Sequence, residues 1–259
     1  MEYDIKPVQT EIAKILRVYQ QLCEKHNLRY YAYGGTAIGA VRHKGFIPWD
    51  DDIDVLMPRP DYVKFMAIAN HELPCCYRWQ SIENDPTYPY QFGKVRVTEA
   101  NEVAKVAKAS GLNLEGGLYI DVFPLDGFVS SDVSRLFWHI KRSLFRRGFT
   151  RWIGFVPYWY GGTNQASRLR FQDWMSKRDY DSSVMVAGVS SYDAYSTPQR
   201  WIFPKKWFDD WRDIPFEDGL IRVPIGVSEM LKGMYGDYMK LPPEEQRVPS
   251  HQILMDLKL

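Results

Sequence analysis

Hydrophobic positions recur at steps of three and four between residues 8 and 25, where Ile12, Ile15, Leu16, Tyr19, Leu22 and Cys23 are separated by charged residues. That spacing puts them on one side of an amphipathic helix ending near Asn27. The period then changes. Residues 30–33 form a short aromatic run with strand character, Gly34-Gly35 breaks it, and 36–42 follow as a short helix with Thr36 near its start. A loop over 43–49, containing Gly45 and Pro48, leads into Asp50-Asp51-Asp52-Ile53-Asp54-Val55-Leu56-Met57, whose second half reads as a strand. Pro58 and Pro60 close that strand ahead of a helix over 61–70. Strand character returns at 91–98 and at 118–123, the latter ending at Pro124. Helical spacing covers 131–152, a loop or lobe boundary covers 155–164, and a charge-rich helix follows. The last helix is predicted over 227–235, with Leu241-Pro242-Pro243 as its exit.

Composition narrows the class. With 259 residues, 45% hydrophobic and 25% charged, the chain can bury one sizeable core. The expectation is a single catalytic domain over 1–259, with core motifs in 28–127 and 200–251 and an unassigned lobe at about 131–196. Lys and Arg total 33 against 32 Asp and Glu, so bulk electrostatic attachment to nucleic acid is not expected. Cys23, Cys75 and Cys76 make neither a disulfide framework nor a zinc pattern. No basic leader with an apolar core opens the sequence, and no run approaches the length of a membrane span. A cytoplasmic location is expected.

The carboxylates carry the chemistry. Side chains alternate along a strand, so Asp52 and Asp54 are expected on one side, about 7 Å apart at their Cα atoms, with Ile53 and Val55 on the other. Asp50 can share the acidic side, and Asp51 is expected at the strand mouth. Like charges so close raise at least one pKa unless something positive lies between them. A hard divalent cation, magnesium or manganese rather than zinc, would supply that charge. Asp121 lies inside the apolar run Tyr119-Ile120-Asp121-Val122-Phe123, where burial without a partner is costly. It either pairs with an arginine or, if its strand neighbours the first, completes a three-carboxylate site for one or two ions. Two ions about 3.5–4 Å apart can clamp both oxygens of a phosphoryl displacement. Gly34-Gly35 is either a plain tight turn or a bend presenting backbone N–H groups to a phosphate. Arg42, Lys44, Lys94 and Arg96 are candidate partners for phosphate charge, or ordinary surface cations.

The run from Tyr33-Gly34-Gly35-Thr36 through Arg42-His43-Lys44-Gly45-Phe46-Ile47-Pro48-Trp49-Asp50-Asp51-Asp52-Ile53-Asp54-Val55 resembles the signature of the LicD family of phosphotransferases. Gly93-Lys94-Val95-Arg96, Ile120-Asp121-Val122-Phe123-Pro124-Leu125-Asp126 and Tyr235-Gly236-Asp237-Tyr238, with His251 beyond, are similar to further blocks of that family. The resemblance implies an α/β (α+β) fold: a nucleotidyltransferase-like core with a mixed sheet flanked by helices, plus a helical, aromatic-rich insertion. It implies Asp52, Asp54 and Asp121 as metal ligands for Mg2+ or Mn2+, with Gly34, Gly35 and Thr36 lining a pyrophosphate. It also implies transfer of phosphocholine from CDP-choline to a hydroxyl of a cell-surface glycan or lipid-linked sugar precursor, releasing CMP. Fukutin-type proteins share the motif and move other phosphate-linked groups. Asp121 is the expected base for the acceptor hydroxyl. Tyr33, Trp49, Tyr119 and Tyr235 lie within the matched blocks and could face a choline group, or be core.

Between Arg135 and Trp152 six cations stand among five aromatics. They form either a helix at the inner face of the membrane, suited to a lipid-borne acceptor, or a solvated helix with a packed aromatic side. Two rival functions also fit parts of the pattern. One is a metal-dependent glycosyltransferase using Asp-x-Asp; the other is a non-catalytic nucleotide- or glycan-binding relative.

Overall fold

A computed structural model describes residues 5–88, 90–98, 118–128, 177, 179–188 and 201–248. Helix α1 (Lys6–Lys25) follows the apolar stripe, with Ile12, Ile15, Leu16, Tyr19 and Cys23 buried. It ends where Asn27 turns left-handed at φ +50°, a conformation asparagine tolerates better than most residues. Then come β1 (Tyr31–Ala32), α2 (Gly34–Ile38) with a π-helical turn at Gly39–His43, β2 (Asp54–Pro58), α3 (Arg59–Glu72), β3 (Tyr77–Gln80), β4 (Gly93–Val97) and β5 (Tyr119–Phe128). Strands β6 (Met185–Gly188), β7 (Ile202–Pro204), β8 (Trp211–Phe216) and β9 (Gly219–Pro224) precede helix α4 (Val227–Tyr235).

Seven strands form one mixed sheet, running β1-β2-β5-β4-β3, with β6 and then β7 continuing from the far half of β5. Only the β2–β5 pair in it is parallel among the described residues. This is the α/β arrangement expected from the sequence.

Ring packing fixes which face is core. Trp79 of β3 lies opposite Val95 of β4 and meets Tyr62 and Phe65 of α3 at 5.6 and 5.4 Å between ring centroids. Tyr19 of α1 meets the same Phe65 at 5.0 Å. Helices α1 and α3 therefore cover the face bearing Val55, Val95, Ile120 and Val122, all fully buried. Burying each such side chain contributes about 1.5–3 kcal/mol. The alternate residues, Asp54, Lys94 and Asp121, are left on the opposite face.

Several boundaries differ from the sequence reading. Helix α2 begins at Gly34, not Thr36, because the Tyr33 carbonyl already accepts the Ala37 N–H at 3.0 Å. Strand β2 begins at Asp54, so Asp52 lies in the segment leading into it. Strand β5 does not stop at Pro124. Phe123 and Pro124 fall between the last β4 partner, at Val122, and the first β6 partner, at Leu125, so on that side no ladder position requires the missing N–H. Strand β3 and the β8–β9 hairpin were not anticipated, and β6, inside the unassigned 131–196 stretch, joins the main sheet. The helical spacing at 131–152, the boundary at 155–164 and His251 lie outside the described residues. Helix α4 matches its expected range and ends at Gly236, φ +71°.

Candidate active site

Parallel pairing sets Asp54 opposite Asp121, and antiparallel pairing sets Asp121 opposite Lys94. The three side chains thus form one row across β2, β5 and β4, on the face away from α1 and α3. The Lys94 ammonium donates to Asp121 Oδ1, and both residues are buried. Asp54 keeps a partial opening to solvent. Its carboxyl is pushed well above the usual range by burial, then by the charges of Asp52, Asp121 and Asp50, with Lys94 opposing. Asp52 and Asp50, which exert two of those charges, stand in the segment before the strand. Burial lowers the Lys94 ammonium pKa, and the Asp121 carboxylate works against that shift. Asp51, expected at the strand mouth, is fully buried.

The glycine pair is fitted to this cluster. Asp54 donates its backbone N–H to Thr36 Oγ1 at 2.8 Å, and its carbonyl accepts the Tyr33 N–H at 3.0 Å. Those two bonds press the start of α2 against the acid. Gly34 has φ +54°, and a Cβ there would lie 3.0 Å from Asp54 Oδ2 and 3.7 Å from the Tyr235 hydroxyl. At Gly35 a Cβ would lie 2.6 Å from Asp50 Oδ2. Two carboxylates thus occupy the space that side chains would need. The Tyr235 ring is half exposed, while burial and the charges of Asp54, Asp50 and Asp52 raise its hydroxyl pKa.

The four candidate cations are placed differently from one another. Lys94 is in the row. Arg96, two residues on, donates from Nε to Gln80 Oε1 and lies 4.7 Å from the Tyr119 ring centroid, with burial lowering its pKa. Arg42 donates to the carbonyls of Tyr238 at 2.6 Å and Lys240 at 3.4 Å, tying the end of the π turn to the segment after α4. Lys44 is left-handed at φ +60°, its side chain exposed and its carbonyl accepting the Glu217 N–H at 3.0 Å. Asp126 forms a bidentate pair with Arg59, 2.6 and 2.8 Å, both buried. Of the aromatics, Tyr33 packs edge-on against Phe123 and Trp201, and Trp49 lies 5.8 Å from the Arg247 guanidinium.

Sequence reasoning missed the groups that hold the acidic loop. Buried Gln9 of α1 donates from Nε2 to the carbonyls of Ile47 and Asp50, at 3.2 and 3.0 Å. A glutamine on the apolar stripe, three residues before Ile12, was the available signal. Glu217, at the β8–β9 turn, accepts the Phe46 N–H at 3.0 Å and the Lys6 ammonium at 2.6 Å. Arg17 fixes that turn by donating to the Phe216 and Leu220 carbonyls at 2.9 and 2.8 Å. Asp218-Gly219 between two β-favouring runs was a readable hairpin signal.

Comparison with known proteins decides the family. The family model for LicD/FKTN/FKRP nucleotidyltransferase domains matches residues 27–126, which include Gly34, Gly35, Thr36, Asp52, Asp54, Lys94, Arg96 and Asp121. The lipopolysaccharide cholinephosphotransferase LicD of Haemophilus influenzae is 30% identical over 254 residues, covering 92% of each chain. The chain belongs to the LicD family. As a LicD-family protein it is a phosphotransferase. Uncharacterised proteins of Rickettsia typhi and Rickettsia prowazekii are 41% and 39% identical over 61 residues, 21% of this chain and 20% and 23% of theirs. Among the described residues, no helix of this LicD-family chain is long and apolar enough to cross a membrane. Nor do three His, Cys, Asp or Glu side chains there stand close enough to hold a metal ion as they are.

Proposed function

We propose that this enzyme transfers phosphocholine from CDP-choline to a hydroxyl of lipopolysaccharide or another cell-surface glycan precursor, releasing CMP. The observation that carries it is the row Asp54–Asp121–Lys94 set against the glycine pair. The Haemophilus relative's cholinephosphotransferase name supports the donor group and the class of acceptor.

The chemistry of the donor set suits a divalent cation, around which the carboxylates would have to draw closer than they stand. The charges of Asp52, Asp121 and Asp50 all raise the Asp54 carboxyl, and a cation among them would relieve that crowding. Asp52, Asp54 and Asp121 would hold Mg2+ or Mn2+, all-oxygen ligands suiting a hard ion. When bound, such an ion neutralises the carboxylates and polarises the transferred phosphoryl group.

The chain's own groups do the rest. Backbone N–H groups at Gly34 and Gly35 and the Thr36 hydroxyl line the pyrophosphate. Lys94 and Arg96 balance the charge that grows on the departing CMP, with Arg42 and Lys44 as further candidate phosphate partners. Asp121 accepts the proton of the acceptor hydroxyl. That oxygen forms a bond to phosphorus, the bond from phosphorus to the CMP oxygen breaks, and its electron pair leaves with CMP. The basic aromatic stretch 135–152 is the proposed contact with an acceptor-bearing membrane at its cytoplasmic face.

A donor panel tests this: CDP-choline, CDP-ethanolamine, CDP-glycerol and UDP-glucose are each incubated with enzyme, Mg2+ and deacylated lipopolysaccharide. Mg2+-dependent CMP release from CDP-choline, abolished by chelation, is expected. Release of UMP or UDP with no CMP would refute the reading in favour of glycosyl transfer. Tight nucleotide binding without turnover would make the chain a binding protein.

A further inference from the structure

Lys94 meets more than Asp121. Its ammonium lies 3.4 Å from the ring centroid of Tyr119, 5.3 Å from that of Phe92 and 5.4 Å from that of Tyr90. All three are within the ~6 Å reach of a cation–π contact. The sheet builds this enclosure. Tyr119 and Asp121 are alternate residues of β5, so they share a face, and Phe92 is two residues before Lys94 on the β4 side. Stacking fixes the rings: Phe92 packs on Phe123 at 4.3 Å, and Tyr90 stacks on Phe92 at 5.1 Å with 27° between planes. Tyr90 is 47% exposed whereas Lys94 is 4% exposed, so the enclosure opens to solvent past Tyr90.

An alkylammonium is therefore already held between three ring faces, next to the proposed phosphoryl-transfer centre. We propose that Tyr90, Phe92 and Tyr119 form the subsite for the donor's quaternary ammonium, with the Lys94 ammonium as its occupant in the free enzyme. This rests on the phosphocholine reading above and extends it to the residues that select the group transferred.

Chemistry favours the exchange. A quaternary ammonium has no N–H to donate and gains from ring faces, whereas the lysine ammonium has three donors that phosphate oxygens can satisfy. The arriving headgroup takes the rings, and Lys94 moves to the donor's phosphate. Reach is also suitable. Two carbons and one oxygen separate nitrogen from phosphorus in phosphocholine. The row Lys94–Asp121–Asp54 advances by one strand spacing, ~4.8 Å, per residue. An ammonium between the rings thus sets its phosphorus beside the carboxylates. A donor with an uncharged head, such as CDP-glycerol, leaves Lys94 where it is.

Calorimetric titration of the Mg2+-loaded full chain with CDP-choline, CDP-glycerol and CMP tests the assignment. Tyr90→Leu, at an exposed ring, is expected to weaken CDP-choline about tenfold while CDP-glycerol and CMP stay within about twofold. Tyr90→Phe keeps the ring face and should restore CDP-choline binding. Tyr119→Leu should show the same selective loss, read only alongside an unchanged melting temperature. Equal weakening of all three ligands, or no weakening of CDP-choline, overturns the subsite. The two readings fail separately. A wild-type enzyme that does not bind CDP-choline sinks the proposed function, whereas one that prefers CDP-choline, with Tyr90→Leu and Tyr119→Leu equally selective, sinks only the subsite.

Discussion

Gly34→Ala and Gly35→Ala change adjacent residues by the same methyl group, yet the structure assigns them different costs. At Gly34 the backbone is left-handed, φ +54°, which costs a residue with a Cβ about 1–2 kcal/mol. The new Cβ would also press on Asp54 Oδ2 at 3.0 Å. For a chain of this size each kcal/mol lowers the melting temperature by about 2–4 °C, so Gly34→Ala should melt about 2–8 °C lower. Gly35 needs no such conformation. Its Cβ would meet Asp50 Oδ2 at 2.6 Å, the end of a side chain that can rotate away for about 0.5–1.5 kcal/mol. Alanine's helix preference over glycine, about 1 kcal/mol, offsets that within α2. Gly35→Ala should therefore melt close to wild type while displacing Asp50 from the acidic cluster. Both variants should lose at least about tenfold in CMP release, roughly 1.4 kcal/mol of transition-state stabilisation. Thermal melts by circular dichroism and a CMP assay on the same preparations read both quantities. Equal melting of the two variants would refute the backbone argument, and full activity in Gly35→Ala would refute the need for a close fit between the glycine pair and the acidic cluster.

Asp54→Asn should stabilise the metal-free protein by about 1 kcal/mol at neutral pH, because it removes a carboxylate crowded by Asp52, Asp121 and Asp50. The folded-state pKa of Asp54 is raised, so its contribution is intact below the unfolded carboxyl value near 4 and is lost as pH rises through the folded value. The gain measured by urea unfolding should accordingly vanish below about pH 4, and a gain that grows on acidification would contradict this sign. Activity should be abolished in the same variant. Asp121→Asn should lower kcat with donor KM nearly unchanged, since Lys94 loses its carboxylate partner and stays available to phosphate; an unchanged kcat with weakened donor binding rules out the base. Asp126→Asn strands the buried Arg59 guanidinium and should cost about 3–5 kcal/mol in unfolding experiments. A loss below about 1 kcal/mol would show that the pair is not structural.

Local pattern made much of this legible. The stripe in α1, the aromatic β1, the acid-headed β2 and helix α4 all follow from spacing, and alternation alone placed Asp54 and Val55 on opposite faces. That Asp121 would join Asp54 depended on two strands being neighbours, which one sequence states only as a condition; the register meets it residue for residue. Asp52 was less readable. The strand starts two residues later, and the loop before it is drawn in by Gln9, 41 positions from Asp50. Pro124 misled because its tolerance comes from a change of neighbour along β5, invisible without the sheet. The hairpin escaped because β8 is largely exposed and lacks a hydrophobic alternation to mark it.

That hairpin has a consequence for the order in which the protein becomes competent. Its turn residue Glu217 adopts φ +53°, a conformation glycine would take more easily, and in return its amide and carboxylate grip Lys44 and Phe46, 171 positions from the latter. During translation the signature loop leaves the ribosome early, behind its Gln9 brace, but its Lys44–Phe46 stretch has no clasp until residue 217 follows. A nascent chain carrying Asp50, Asp52, Asp54 and Asp121 thus has the Gln9 brace on its acidic loop but still lacks the grip on Lys44 and Phe46 that Glu217 supplies.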